Sequence, residues 1–69
     1  MKLYIAEHRK ALHWTQGRLA REAEVHASQL SEWESGQVLP GLPALAKLAG
    51  GLGVDIADLF SPLPDRSGP

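Results

Sequence analysis

Three histidines, His8, His13 and His26, are by type the side chains best suited to ligate a metal ion or to transfer a proton near neutral pH. No two of them are three or four residues apart, so they do not share a helical face, and no HExxH pattern is present. The histidine spacing therefore predicts no metal site, and His8 is interpreted as a core histidine rather than a ligand.

Patterns for nucleophilic catalysis and phosphate cradling are also missing from the sequence. No serine stands in a G-x-S-x-G elbow, and the Gly50-Gly51-x-Gly53 segment lacks the lysine of a phosphate-binding loop. A chain of 69 residues is also short for a ligand pocket of ~300 Å³. We therefore expect no catalytic residues, no cofactor and no enzymatic activity.

Charge is distributed unevenly along the chain. The total is 7 Lys+Arg against 8 Asp+Glu, a formal charge of −1. Residues 1–21 nevertheless hold five basic residues and one acid (+4), whereas residues 22–69 hold two basic residues and seven acids (−5). Unless it is chance scatter, this asymmetry predicts a basic surface for a polyanion on an otherwise acidic protein.

Length and composition predict one small domain without disulfides. The chain has no cysteine, and its hydrophobic share of 43% is typical of globular proteins. No apolar run approaches the ~20 residues needed to span a bilayer, and the start lacks a signal-peptide pattern. We expect a cytoplasmic protein that does not enter membranes.

Apolar spacing and capping residues predict five short helices and no strand. The first helix carries Ile5, His8, Arg9 and Leu12, and the second follows the N-cap Thr15 and buries Leu19, Ala20 and Ala23. The third carries Leu30 and Trp33 and stops at Gly36. The fourth begins at Gly41 or Leu42, ends at Gly53 and buries Leu42, Leu45, Leu48, Ala49 and Leu52, and the fifth runs from Ile56 to Phe60. The predicted class is a compact all-α domain over residues 1–61, followed by a flexible tail over residues 62–69.

Residues 16–35 hold two of these helices with a very short connection, so the helices must cross steeply. Ala20 is small enough for a close crossing, and Leu30 and Trp33 hold the second helix of the pair to the core. Its opposite face is small and polar, which suits the ~12 Å major groove of DNA. At helical spacing, Trp14 and Trp33 are interpreted as core residues rather than base-stacking ones.

This segment resembles the helix-turn-helix of the phage Cro/repressor-like (XRE-type) DNA-binding family, and the resemblance extends from Ile5 to Phe60. The matching positions are Arg9, Thr15-Gln16, Leu19-Ala20, Val25, Leu30, Glu34, Gly36, Pro40, Leu45, Leu48-Ala49, Leu52-Gly53-Val54 and Leu59. The resemblance implies a lambda-repressor-like domain of five helices whose third helix reads double-stranded DNA.

The resemblance also implies roles for individual residues. Base-reading positions are Ala27, Ser28, Gln29, Ser31 and Glu32. Gln16 matches a glutamine that touches a phosphate and supports the reading helix, whereas Arg18 departs from the family by placing a cation where acids are common. The predicted phosphate-contacting residues are Gln16, Arg18, Arg21, His26, Ser35 and Gln37. Arg9 and Glu34 match positions that often form a structural ion pair.

Three further departures from the family pattern bear on this interpretation. Glu24 stands where glycine is usual in the turn, so strain of roughly 1 kcal/mol is expected if its φ is positive. Gln37-Val38-Leu39 replaces residues that are often basic. Glu32 and Glu34 are both acids on the reading helix, where a carboxylate is repelled by phosphate unless it accepts from a cytosine amine.

Two functions follow as hypotheses. The first is a sequence-specific regulator, a repressor of phage or bacterial type, acting as a homodimer on an inverted repeat. Its candidate dimer surfaces are Leu59, Phe60 and Leu63, or the Val38-Leu39 loop. The alternative is a helix-turn-helix fold that binds a protein partner, as an antitoxin or adaptor does.

Overall fold

A computed structural model describes residues 2–62 of the protein. Its elements are α1 (Ile5–Ala11), α2 (Gln16–Ala23), α3 (Ala27–Ser35), α4 (Leu42–Leu52) and a 3₁₀ helix (Ile56–Phe60). No strand occurs within these residues, which confirms the all-α class. The predicted fifth helix is a 3₁₀ helix rather than an α-helix, and the predicted tail lies outside the described residues except for Pro62.

Local sequence explains where α2 and α3 begin and end. The Thr15 hydroxyl accepts a hydrogen bond from the Arg18 backbone N–H at 3.0 Å, so the predicted N-cap of α2 is confirmed. Gly36 ends α3 with φ 84°, in the left-handed region where glycine carries no steric cost. These two caps set the length of the α2–α3 pair.

Each of the five elements contributes one fully buried aliphatic side chain to a single core. These side chains are Ile5, Leu19, Leu30, Leu48 and Leu59. Trp14 and Trp33 are partly buried and pack against this core. The predicted core of α2 (Leu19, Ala20 and Ala23) is confirmed.

Leu42 was predicted to be buried but is exposed, and Leu12, which was predicted to lie on the first helix, is exposed as well. Leu42 is 67% exposed because it is the first residue of α4, and side chains in a helix lean toward its N-terminus, here past the packed body. Leu12 is 42% exposed because α1 ends at Ala11, so Leu12 no longer follows the helical face.

His8 joins the beginning of the fold to its end. Its ring is 4% exposed, and Nε2 lies 2.8 Å from the Asp58 carbonyl oxygen and 3.1 Å from that of Ser61. Because both partners are acceptors, Nε2 carries the proton and donates it. His8 is therefore a hydrogen-bonded core histidine, as the sequence predicts. Within residues 2–62, no group of three or more His, Cys, Asp or Glu side chains is positioned to hold a metal ion.

Glu24 ends α2 in the left-handed conformation, with φ 60° and ψ 46°. The condition for strain at Glu24 is therefore met, and a positive φ costs a residue with a Cβ roughly 1–2 kcal/mol. Glu24→Gly should therefore raise the free energy of unfolding by about 1 kcal/mol. The increase is smaller than the strain relieved, because glycine gives the unfolded chain more conformational entropy. Urea denaturation followed by circular dichroism measures the change.

Glu24→Ala is the matched control for this prediction, because it removes the carboxylate but keeps the Cβ. It should leave stability near that of the parent protein. Equal stability of the alanine and glycine variants would mean that backbone strain at position 24 is negligible.

Candidate nucleic-acid interface

The outer face of α3 is narrow, polar and open. All five predicted base-reading residues are exposed: Ala27, Ser28, Gln29, Ser31 and Glu32. On the opposite face, Leu30 is completely buried and Trp33 packs against the core. The structure therefore brings the candidate reading residues together on one free surface of a single helix.

Glu34 lies on the same helix but points into the protein. Its Oε2 accepts from Arg9 Nε at 2.8 Å, and its Oε1 accepts from Arg9 Nη2 at 3.1 Å. The side chains of Arg9 and Glu34 are only 11% and 6% exposed. Of the two acids in α3, Glu32 alone therefore faces outward, while the charge of Glu34 is paired with Arg9.

Two further contacts turn this ion pair into a network that joins three parts of the fold. Gln16 Nε2 donates to Glu34 Oε1 at 2.8 Å, so the first residue of α2 is bonded to α3. Arg9 Nη1 donates to the Trp14 carbonyl at 2.7 Å, which ties α1 to the segment before α2. The Gln16–Glu34 bond agrees with the expected support of the reading helix by Gln16, although Glu34 was not predicted as its partner. The network fixes the orientation of α3 relative to α1 and α2.

The predicted phosphate-contacting residues lie at the ends of α2 and α3. All except Gln16 are exposed: Arg18, Arg21, His26, Ser35 and Gln37. His26 is the N-cap of α3, and its side chain makes no capping hydrogen bond. Ser35 Oγ donates to the Glu32 carbonyl at 3.0 Å, and the Gln37 backbone N–H donates to the same carbonyl at 3.1 Å.

Exposed aliphatic side chains follow α3 at positions where the resembled family often has basic residues. Val38 and Leu39 are 46% and 56% exposed, and Leu42 lies three residues further on; we call these three residues the apolar patch. Of the other predicted dimer residues, Phe60 is exposed, but Leu59 is completely buried in the core and cannot form an interface. Leu63 lies outside the described residues.

A surface groove runs beside the beginning of α3. Its volume is about 330 Å³, so the expectation that so short a chain forms no pocket of this size is wrong. His26, Gln29, Trp33 and Lys47 contribute to its lining. Sequence reasoning missed Lys47, because nothing local to α4 indicates that this lysine lies next to α3.

Comparison with known proteins agrees with this geometry. The family model for helix-turn-helix proteins matches residues 5–59. This chain belongs to the helix-turn-helix family. It is of the Cro/repressor-like (XRE) type, a family of DNA-binding transcription regulators, as the sequence resemblance indicated.

A solved structure supports the same placement of this helix-turn-helix chain. The N-terminal DNA-binding domain of SinR from Bacillus subtilis is similar to it, with a TM-score of 0.76 and 27% sequence identity. The match covers 90% of this chain and 88% of that domain. No match was found among curated proteins. None of the helices within residues 2–62 has the length and apolarity required to cross a bilayer.

Proposed function

We propose that this chain is a sequence-specific DNA-binding transcription regulator that inserts α3 into the major groove and represses by occupying its operator. The observation that carries the proposal is the outer face of α3: five exposed, mostly small residues on a helix whose second acid is withdrawn by Arg9. A helix in the major groove needs such a face to approach base edges. Acting on DNA, the protein would work in the cytoplasm of a bacterium.

Each side chain on this face has a partner of matching chemistry in the groove. Gln29 is suited to adenine, Glu32 to the amine of cytosine, and the Ala27 methyl to the methyl group of thymine. Ser28 and Ser31 can donate or accept. The phosphate contacts are assigned to Gln16, Arg18, Arg21, His26, Ser35 and Gln37, and they give the complex its salt dependence.

Salt titration tests the proposal directly. The affinity for a fluorescent duplex of mixed sequence should fall linearly on a plot of log affinity against log salt, with a slope of about −0.9 for each phosphate contacted. Arg21→Ala should weaken binding to every duplex alike and make this slope shallower by about 1 per protomer. Lys10→Ala is the charge-matched control, since Lys10 is an exposed cation on α1, outside the α2–α3 pair. Binding that does not respond to salt would exclude DNA as the partner.

We further propose that the regulator is a homodimer formed through the apolar patch. Val38 and Leu39 lie in the loop after α3 and Leu42 begins α4, so pairing two copies here would bring two reading helices toward one two-fold axis. Exposed aliphatic residues within one short segment suit an interface between subunits.

The double variant Leu39→Asp/Leu42→Asp should abolish the dimer, since it places two carboxylates per subunit in an apolar contact. Sedimentation equilibrium measures the change, and operator affinity should fall with the loss of the second subunit. Leu12→Asp is the matched control, as Leu12 is also exposed but lies at the end of α1. If the double variant stays dimeric, the interface lies elsewhere, with exposed Phe60 as the next surface to mutate.

The apolar patch also supports the second candidate function, in which the fold binds another protein. A helix-turn-helix domain used in this way would bury Val38, Leu39 and Leu42 against the partner and would not need the polar face of α3. The salt titration distinguishes the two, because only a DNA-binding protein has an affinity for duplex that falls steeply with salt.

A further inference from the structure

We propose that Trp14 and Glu22 hold the Arg18 guanidinium ready for a DNA phosphate, and that Glu22 at the same time lowers the affinity. The inference rests on the proposed DNA binding and extends it to two residues without an assigned role. Trp14 is then a positioning residue, and Glu22 sets how strongly the arginine attracts DNA.

Arg18 is held from two directions. Its guanidinium carbon lies 4.5 Å from the centre of the Trp14 ring, within range of a cation–π contact. Its Nε donates to Glu22 Oε2 at 2.9 Å, one helical turn further along α2. Among the hydrogen bonds of residues 2–62, Arg18 uses no side-chain nitrogen other than Nε. Its two terminal nitrogens are therefore available to donate hydrogen bonds to a ligand.

Trp14 is itself fixed, so it can act as a platform. Its indole packs against the core. Its backbone carbonyl accepts from Arg9 Nη1 at 2.7 Å, and its backbone N–H donates to the Arg9 carbonyl at 3.2 Å. A long arginine side chain normally loses rotamer freedom when it binds a phosphate. Stacking on a rigid indole removes part of that freedom in advance, which favours binding.

Glu22 lowers the affinity for DNA, whereas Trp14 raises it. Arg18 and Glu22 are 45% and 41% exposed, so their ion pair is weak and contributes little to the stability of α2. The carboxylate stays beside the guanidinium, however, and its negative charge opposes an approaching phosphate. Removing this charge while keeping an acceptor for Nε should therefore strengthen binding.

The test uses a fluorescent duplex of mixed sequence about 30 base pairs long, roughly three helical turns. Glu22→Gln should tighten binding about two- to fivefold, because glutamine keeps the acceptor and removes the charge. Trp14→Leu should weaken it about two- to fivefold, because the stack is lost. Arg18→Lys should also weaken it, since lysine keeps the charge but not the planar fork.

Combination with Arg18→Ala separates this role from a purely structural one. In the Arg18→Ala background, Trp14→Leu should no longer change affinity, because Trp14 acts through the guanidinium. Glu22→Gln should still tighten binding there, because the Glu22 carboxylate repels phosphate directly. An equal effect of Trp14→Leu in both backgrounds would overturn the inference, as would a Glu22→Gln protein that binds no more tightly than the parent. If Trp14→Leu fails to fold, the Glu22→Gln and Arg18→Lys arms decide. A parent protein that does not bind duplex would instead refute the proposed function itself.

Discussion

Arg9→Ala should lower the free energy of unfolding by about 3–5 kcal/mol, the range measured when one partner of a buried ion pair is removed. The Glu34 carboxylate, 6% exposed, would keep only the Gln16 amide as a partner. The Trp14 carbonyl would lose its donor as well. For a chain of 69 residues, the total stability is only about 3–10 kcal/mol, so this single change should remove a large fraction of it.

Two controls show whether the loss comes from the unpaired charge, and urea denaturation measures the free energy of unfolding of all three proteins. Arg18→Ala removes an arginine from an exposed ion pair and should cost at most about 1 kcal/mol. Arg9→Met/Glu34→Leu removes both charges and should recover much of the stability lost by Arg9→Ala, because no carboxylate is left buried without its cation. If the single and double variants were equally unstable, the loss would come from packing rather than from the unpaired charge.

Gly51→Ala should destabilise the protein by about 1–3 kcal/mol, although alanine is the better helix former. A Cβ at position 51 would lie 3.0 Å from the Ala23 backbone nitrogen and 3.1 Å from the Ala23 Cα. These are main-chain atoms of α2, so they cannot rotate away, and α2 and α4 would have to separate. The glycine is therefore required by the approach of two helices.

Gly50→Ala is the control one residue away, and it should raise the stability of the protein rather than lower it. A Cβ at position 50 meets no atom within 4 Å, so the variant should gain about 0.5–1 kcal/mol from helix propensity. Thermal and urea denaturation of the two variants measure this difference. Two changes of the same sign would show that helix propensity, rather than the α2–α4 distance, determines the effect at position 51.

Local sequence patterns predicted most of the secondary structure, because the signals for it lie within one or two helical turns. The Thr15 cap depends on an N–H three residues away, and the end of α3 depends on glycine at position 36. The strain at Glu24 was likewise predictable, since it follows from one residue type in a short turn. Leu42 was mispredicted because its period fits the buried stripe of α4, while its place at the helix end exposes it.

The sequence indicated which residues form the candidate site, but it indicated few of the contacts between them. The resemblance named the outer residues of α3 together with the pair Arg9 and Glu34. It did not reveal that Gln16 completes the ion pair, that Arg18 stacks on Trp14, or that Lys47 lies beside α3. It did separate Glu32, assigned to base reading and exposed, from Glu34, assigned to an ion pair and buried.

The sequence by itself determined an all-α protein of the helix-turn-helix family, because helical periods, caps and family spacing are properties of neighbouring residues. Only the tertiary structure decided which charges remain free to meet DNA. Arg9 reaches Glu34 across 25 positions of the chain, and His8 reaches the Asp58 carbonyl across 50. Such pairings depend on how the helices pack, because packing determines which polar groups are buried next to each other. A buried charge or polar group without a partner is costly, so such groups are paired in the folded protein.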